Sequence, residues 1–210
     1  WIADANFGVF REDVEIARFI AELRTKYGYP KKFTANFAKN SVKNLKTIVD
    51  ILNDSGILTE GILSLQSTDE ATLEAIKRSN IKTESYDNLA AEFRTVGLPL
   101  STELMMGLPG QTLRSLRDDL QKCVDREVLA RVYGTELIAN SPMNNPSYRE
   151  KYQIKAASAP TPPKLGKGDK ASTRIPSLVI SSSTFSEEDY HDMHRMRRVY
   201  LLSENIGVLR

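Results

Sequence analysis

One cysteine is all that this 210-residue chain contains, and that scarcity excludes a good deal. Cys123 cannot form an internal disulfide, so a disulfide-stapled scaffold is ruled out. Its place on a helical pattern is ordinary for a small buried hydrophobe. Histidine is almost as rare: His191 and His194 lie three apart on a helical stretch, with no third ligand of zinc type beside them. No charge surplus exists either, with 29 basic against 27 acidic residues, so no polyanion-binding surface is announced and nucleic acid is a poor partner. No apolar run reaches the roughly 18 residues of a membrane span, and no basic segment followed by an apolar one opens the chain. A cytoplasmic protein without a membrane partner is expected. The initiating methionine is missing too. The chain starts Trp1-Ile2-Ala3-Asp4 inside a strand-like run, which predicts a piece of a longer polypeptide.

Several catalytic signatures are also absent. The turn GLPGQT has neither the G-x-x-x-x-G-K-[ST] spacing that places a lysine on phosphates nor a G-x-G-x-x-G pattern. No G-x-S-x-G elbow occurs, and Cys123 has no histidine placed to activate it.

What is present is a regular alternation of short apolar runs and amphipathic helices. WIADANF precedes a helix over about Glu12 to Tyr27. FTANFA, at Phe33 to Ala38, leads past Ser41 as an N-cap into a helix stopped near Gly56. GILSLQS ends at Ser67 and enters a helix capped by Thr68 or Asp69; a second helix, SYDNLAAEFRTVG, follows. LSTELMMG leads through Leu108-Pro109-Gly110 into a helix from about Leu113 to Leu129, and RVYGTELIAN is a fifth strand. Strands separated by helices predict parallel pairing with right-handed crossovers, which fits either an open doubly wound sheet or part of a βα barrel. Residues 1–155 form this unit. The Pro-, Gly- and Lys-rich residues 156–173 read as a flexible loop. Residues 174–210 then supply a sixth strand, IPSLVISSS, and a long helix opened by Ser186 with Asp189 three residues on.

In parallel α/β folds, ligands bind where strands hand over to loops at their carboxyl ends. Those ends read Asp4 to Phe7, Thr34 to Phe37, Ser64 to Ser67, Glu103 to Gly107 and Glu136 to Asn140. Each offers polar groups suited to a small ligand, and five in succession make a ligand site the better expectation than five solvated caps.

Three separated stretches carry a family resemblance: DANFGVFREDVEIARFI; SLQSTDEATLEAIKR with a Tyr86-to-Leu89 Y-x-x-L pattern after it; and ELMMGLPGQT. Together, in type, order and spacing over Ile2 to Asn140, they resemble the radical S-adenosylmethionine superfamily. The similarity is greatest to the branch that contains oxygen-independent coproporphyrinogen oxidase and proteins joining a cobalamin-binding domain to the radical barrel. The resemblance implies an α/β fold, a partial (βα) barrel of the radical S-adenosylmethionine type truncated at its N-terminal side. It also implies S-adenosylmethionine and a 4Fe–4S cluster as cofactors. The reduced cluster cleaves the sulfonium, giving either hydrogen abstraction from substrate or, in relatives that use cobalamin, methyl transfer. The implied partners are a small-molecule or peptide substrate and an electron donor.

Carried over by position, Gln66 and Arg78 match residues that contact S-adenosylmethionine, the arginine through the methionyl carboxylate, which its planar fork suits. Glu103 matches an acid that accepts from the ribose hydroxyls, and Asn36 is a further ribose candidate. Gly107, with Gly110, removes side chains where the chain passes close to adenine or turns sharply, and Met105 lies along the adenine. Read without the resemblance, Arg78 is equally a solvated helix arginine, Glu103 an outward-facing acid and Met105 a core residue. The sequence departs from the family where it matters most: the C-x-x-x-C-x-x-C run that ligates the cluster, the strand before it and a Gly-Gly-rich strand are all absent. Loss of roughly the first two βα units explains this and leaves an unpaired sheet edge. A degenerate, non-enzymatic barrel module that binds a small ligand or protein is the rival reading. An aldolase-type barrel fragment is a weaker third, since no strand carries a lysine suited to a Schiff base.

Overall fold

The computed structural model describes residues 1–37, 42–79, 83–95, 99–158 and 177–208. Five strands form one all-parallel sheet: β1 (Ile2–Phe7), β2 (Lys32–Phe37), β3 (Leu58–Gln66), β4 (Leu100–Met106) and β5 (Leu129–Gly134). Their spatial order is their chain order. A doubly wound sheet reverses direction at a switch point; sequential addition on one side, with helices between, is the winding of a barrel wall. The partial barrel is therefore the architecture, and the doubly wound alternative is set aside.

The connecting helices are α1 (Arg11–Tyr27), α2 (Val42–Asp54), α3 (Glu70–Ala75), α4 (Thr83–Thr95) and α5 (Leu113–Asp125). Their apolar sides share one core with alternate strand residues. Ala17, Leu45, Ile48, Leu52, Phe93, Leu116 and Leu120 pack with Phe33, Ala35, Phe37, Leu104, Met106, Ala130 and Val132. Phe7, Phe33 and Phe37 form a tilted aromatic cluster, with ring centres 5.5–6.5 Å apart. Local chemistry sets the ends of the elements. Asp13, buried on the first turn of α1, accepts from the backbone N–H groups of Gly8 (2.9 Å) and Phe10 (3.0 Å), fixing the β1–α1 turn. Asp69, of the two caps expected, is the one used on α3, accepting from Thr72 N at 2.9 Å. Ser41 lies outside the described residues.

Two expected boundaries differ. The helix expected to reach Leu129 ends at Asp125, because Glu127 takes a left-handed φ of 55° and Val128 N–H turns back to Cys123 O (2.9 Å). This is the hydrogen-bond pattern of a Schellman stop, made without the usual glycine. β5 in turn closes at Gly134. Beyond it Thr135 N–H still reaches Met106 O, whereas Leu137 N–H bonds Ser177 O. The chain thereby leaves the parallel sheet for a separate two-stranded one, formed by β6 (Lys155–Ser158) and β7 (Ser177–Ser181) in antiparallel pairing. The expected sixth strand is thus not a barrel strand, and Ala156–Ser158, expected in a loop, lie in β6. The remainder of that loop lies outside the described residues. A 3₁₀ turn (Pro142–Asn144) and a short helix, α6 (Pro146–Lys151), precede β6.

The final helix, α7 (Glu187–Asn205), opens as expected with a reciprocal Ser186–Asp189 capping box. It then closes one sheet edge. Ala130 N–H donates to Tyr200 Oη at 2.9 Å, and Arg197 Nε donates to Val132 O at 2.7 Å. Both groups are on the side of β5 away from β4, so side chains occupy the bonds that a sixth strand would make. Among the described residues, no helix is long and apolar enough to cross a membrane.

Tyr200→Phe strands the buried Ala130 N–H. Urea unfolding should show a loss of about 1–3 kcal/mol with an unchanged m-value. An unchanged midpoint would mean that α7 does not seal the edge.

Candidate functional site

A strand sends successive side chains to opposite faces, and the register fixes which residues share the face turned from the core. Asn36 pairs with Ile62, Ile62 with Ser101, Ser64 with Glu103, Glu103 with Arg131 and Met105 with Tyr133. One inner face therefore carries the buried Ile62 and Ser101 together with Asn36, Ser64, Glu103, Met105, Arg131 and Tyr133, which are half-buried or exposed. On β4 the alternation is plain: Thr102, Leu104 and Met106 are buried, while Glu103 and Met105 are only partly so.

At the carboxyl ends of the strands these residues join. Ser64 Oγ donates to Glu103 Oε2 at 2.5 Å, and Arg78 Nη2 donates to Ser64 O at 2.8 Å. Arg78 is thus no free surface arginine, and Glu103 faces inward. Two buried polar atoms here have no partner: Arg78 Nε, a donor, and Asn36 Oδ1, an acceptor. A buried orphan costs about 1–3 kcal/mol, and Tyr86 Oη, Ser141 Oγ and Tyr190 Oη are in the same condition elsewhere among the described residues. Gln66 stands at the end of β3 with φ 69°, where the register to β4 slips between Ser64 and Gln66. A left-handed backbone at a residue other than glycine is costly unless its surroundings hold it. Met105 takes the next inward position after Glu103, opposite Tyr133.

Gly107 does not join this cluster. A Cβ on Gly107 would come 3.0 Å from Val179 O and 3.3 Å from the Tyr190 ring, so the space it leaves is filled by this protein rather than by a cleft. Gly110, with φ 86°, is equally close-packed: its Cβ would lie 2.8 Å from Ala71 O on α3. The glycines of GLPGQT seat the β4–α5 turn on its neighbours. Gln111, fully buried, closes it by accepting from Gly107 N–H (2.8 Å) and donating to Met105 O (2.9 Å).

Beneath the β3–α3 loop lies Asp119, 1% exposed. Its Oδ2 accepts from Ser67 Oγ at 2.7 Å, and its Oδ1 accepts from Thr68 N–H at 2.9 Å and from the Thr68 hydroxyl. Burial holds its carboxyl above the usual range, against the opposing hydrogen bonds from Thr68 and Ser67. Sequence reasoning missed Asp119, though a signal was there: on α5 it shares the buried stripe of Leu116, Leu120 and Cys123, where an acid is out of place unless bonded. It missed Gln111 and Ser64 as partners as well.

A cleft of about 1110 Å³ opens at the opposite, amino-terminal ends of the strands, with Lys32, Glu60, Ser101 and Arg131 among its walls. Its charges satisfy one another. Glu60 pairs with Lys32 at 3.1 Å and with Arg131, and it accepts from Ser101 Oγ at 3.1 Å. Burial by itself would raise the Glu60 carboxyl, but the Lys32 bond and the Arg131 charge bring it below the usual glutamate range. Arg78 Nε and Asn36 Oδ1, and with them the candidate site, are at the other end.

No protein-family model matches the chain. Two curated proteins do. It is 39% identical over 158 residues to the cobalamin-dependent radical SAM methyltransferase TokK of Streptomyces tokunonensis, a match over 74% of this chain and 23% of the relative. It is likewise 39% identical over 148 residues to 2-(S-pantetheinyl)-carbapenam-3-carboxylate methyltransferase of Streptantibioticus cattleyicolor, covering 70% of this chain and 22% of the relative. The chain therefore spans less than a quarter of the length of these relatives. Among solved structures, the radical S-adenosylmethionine methyltransferase TsrM of Kitasatospora setae, with tryptophan and a SAM analogue bound, shares the fold at a TM-score of 0.61. That likeness covers 94% of this chain and 42% of TsrM at 15% identity.

The cleft yields a pH test. Glu60 has its folded pKa lowered, so its ion pairs stabilise the fold above the ordinary glutamate range and stop doing so as pH falls through the lowered value. Glu60→Gln should be less stable than wild type at about pH 7, with the gap in thermal midpoint closing towards about pH 3. A gap independent of pH would contradict this assignment.

Proposed function

The chain belongs to the radical S-adenosylmethionine superfamily, and from that premise we propose that it supplies the S-adenosylmethionine-binding wall of a cytoplasmic methyltransferase acting on a small molecule. The observation that carries this is the Arg78–Ser64–Glu103 chain at the strand ends, beside the unpartnered Arg78 Nε and Asn36 Oδ1. Those residues fit the group. Arg78 still has N–H donors to give a carboxylate, and its anchor on Ser64 O holds the guanidinium plane where two parallel donors could meet two oxygens. Glu103, steadied by Ser64, is a charged acceptor for a vicinal diol, and Asn36 Oδ1 is a neutral one. Gln66, on its left-handed backbone, completes the rim near the methionyl end. Met105 offers a polarisable surface to adenine, while Gly107 contributes by letting the turn behind Met105 pack closely. When bound, S-adenosylmethionine supplies the methyl or 5′-deoxyadenosyl group; the residues of this chain bind and orient it.

The iron–sulfur cluster is a different matter, because nothing here fits it. Cys123, the sole cysteine, is buried, and burial with the nearby Asp119 pushes its thiol up to about 12, far from the thiolate that iron requires. Among the described residues, no three histidine, cysteine or acidic side chains gather as a metal site. Cluster ligands, any cobalamin and the route for electrons would come from outside these residues. TokK is named as cobalamin-dependent, which makes methyl transfer the favoured outcome over hydrogen abstraction alone.

The test uses the full natural polypeptide, reconstituted without oxygen with iron, sulfide and cobalamin, then given a reductant. Wild type should form S-adenosylhomocysteine, 5′-deoxyadenosine or both. Arg78→Ala should weaken S-adenosylmethionine binding about 10- to 100-fold, as expected for a hydrogen-bonded charge pair, and Glu103→Ala about 10-fold. Binding without either product would favour a non-enzymatic module. Unchanged affinity in Arg78→Ala would remove the site from this face, whatever Glu103→Ala does.

A further inference from the structure

We propose that Asp119, which touches no ligand position, is the positioning residue for this site, acting through the β3–α3 loop; the inference rests on the S-adenosylmethionine assignment above. The two residues best placed for the methionyl end, Gln66 and Arg78, stand on either side of that loop and α3. Gln66 is held in a left-handed conformation with nothing in its own chemistry to favour it. The very next residues, Ser67 and Thr68, are those gripped by Asp119. The grip is dense. Both carboxylate oxygens are used, and Lys122, one helical turn further along α5, donates to Thr68 Oγ1 at 2.7 Å. Ser67 Oγ passes the constraint on by accepting from Asp69 N–H at 3.1 Å, and Asp69 caps α3.

From α3 the constraint reaches Arg78. Ile76 N–H bonds Thr72 O at 3.1 Å and Arg78 N–H bonds Leu73 O at 2.9 Å, so the arginine backbone is tied to the helix that Asp69 starts. α3 is itself held from outside: Gly110 packs on Ala71 and Thr72, and Tyr148 Oη donates to Ala75 O at 2.7 Å. A helix of six residues has little stability of its own, so its orientation is set by these anchors. The acid also lies on α5, whose start follows the turn behind Glu103 and Met105. One buried carboxylate therefore ties the loop carrying Gln66, the helix leading to Arg78 and the element behind Glu103 into one unit. Small misplacements of a binding group far from the chemistry are expensive, which gives Asp119 leverage without contact.

The experiment measures S-adenosylmethionine binding by equilibrium dialysis, and KM and kcat where turnover occurs, in the full natural polypeptide. Asp119→Ala should raise the dissociation constant about 10-fold, as for loss of an outer-shell orienting group, with substrate KM unchanged. Asp119→Asn should stay within about 3-fold of wild type, because its carbonyl can accept from Thr68 N–H and its amide can donate to a reversed Ser67 hydroxyl. Added to Arg78→Ala, Asp119→Ala should cost less than its full loss of about 10-fold, because part of its effect runs through the Arg78 contact and the rest through Gln66. If Asp119→Ala does not fold, Ser67→Ala removes a single hydroxyl and should itself weaken binding about 3-fold. Unchanged affinity in Asp119→Ala or Ser67→Ala, or losses that multiply fully with Arg78→Ala, would overturn the positioning role and leave the site standing. An Arg78→Ala variant that binds as wild type would overturn the site and this inference together.

Discussion

Everything in this structure depends on a sheet whose apolar core lies against one face, while the other face, Ile62 and Ser101 apart, is only partly covered. Five parallel strands pack their alternate residues, Phe33, Leu104, Met106 and Val132 among them, against one layer of helices. The other alternation is then obliged to face inward. Parallel sheets are ordinarily covered on both faces, and a wall of a barrel meets that rule by curving round its own lumen. Polar residues at inward positions are tolerated there because they bond across strands. Glu60 with Arg131 at the amino ends and Ser64 with Glu103 at the carboxyl ends are two such pairs along one face. They differ in what is left over. The amino-end group is closed by its own charges, while the carboxyl-end group leaves Arg78 Nε and Asn36 Oδ1 with nothing to bond. That asymmetry is the physical ground for proposing the ligand at one end and not in the cleft at the other.

A second layer holds the first in place. The loops after β3 and β4 are tied to each other rather than merely to their own strands. Asp119 binds Ser67 and Thr68, Gly110 nests on α3, and Gln111 folds the turn back on Met105 while its own carbonyl accepts from Thr184 Oγ1 at 2.7 Å. The last of these reaches the segment between β7 and α7. The antiparallel hairpin and the terminal helix, which add no strand to the barrel, thus brace the loops at its ligand-binding end and seal the edge of β5 through Tyr200 and Arg197.

Much of this was legible in the residue pattern. The strand and helix alternation and the Ser186–Asp189 cap follow from periodicity and capping chemistry, because these are local signals, whereas the sequence leaves Glu103 open between an inward and an outward position. What was not legible depends on distant partners. The end of α5 was placed late because a left-handed Glu127 does the work usually given to glycine. The run IPSLVISSS has the composition of a strand, but only its pairing with β6 makes it antiparallel and sets it outside the sheet. Gly107 looked like a residue cleared for adenine, yet Val179 and Tyr190, more than 70 residues further along the chain, fill the space it leaves. Asp119 was passed over because its meaning lies in Ser67 and Thr68, about 50 residues before it.

The inward face at the carboxyl ends of β2, β3 and β4 is proposed to hold S-adenosylmethionine. An anaerobic crystal structure of the full natural polypeptide with S-adenosylmethionine bound tests it most directly. The methionyl carboxylate should lie on the Arg78 guanidinium, the ribose hydroxyls on Glu103 and the adenine beside Met105. A ligand seated in the cleft lined by Lys32, Glu60 and Arg131, or one reaching neither Arg78 nor Glu103, would contradict it.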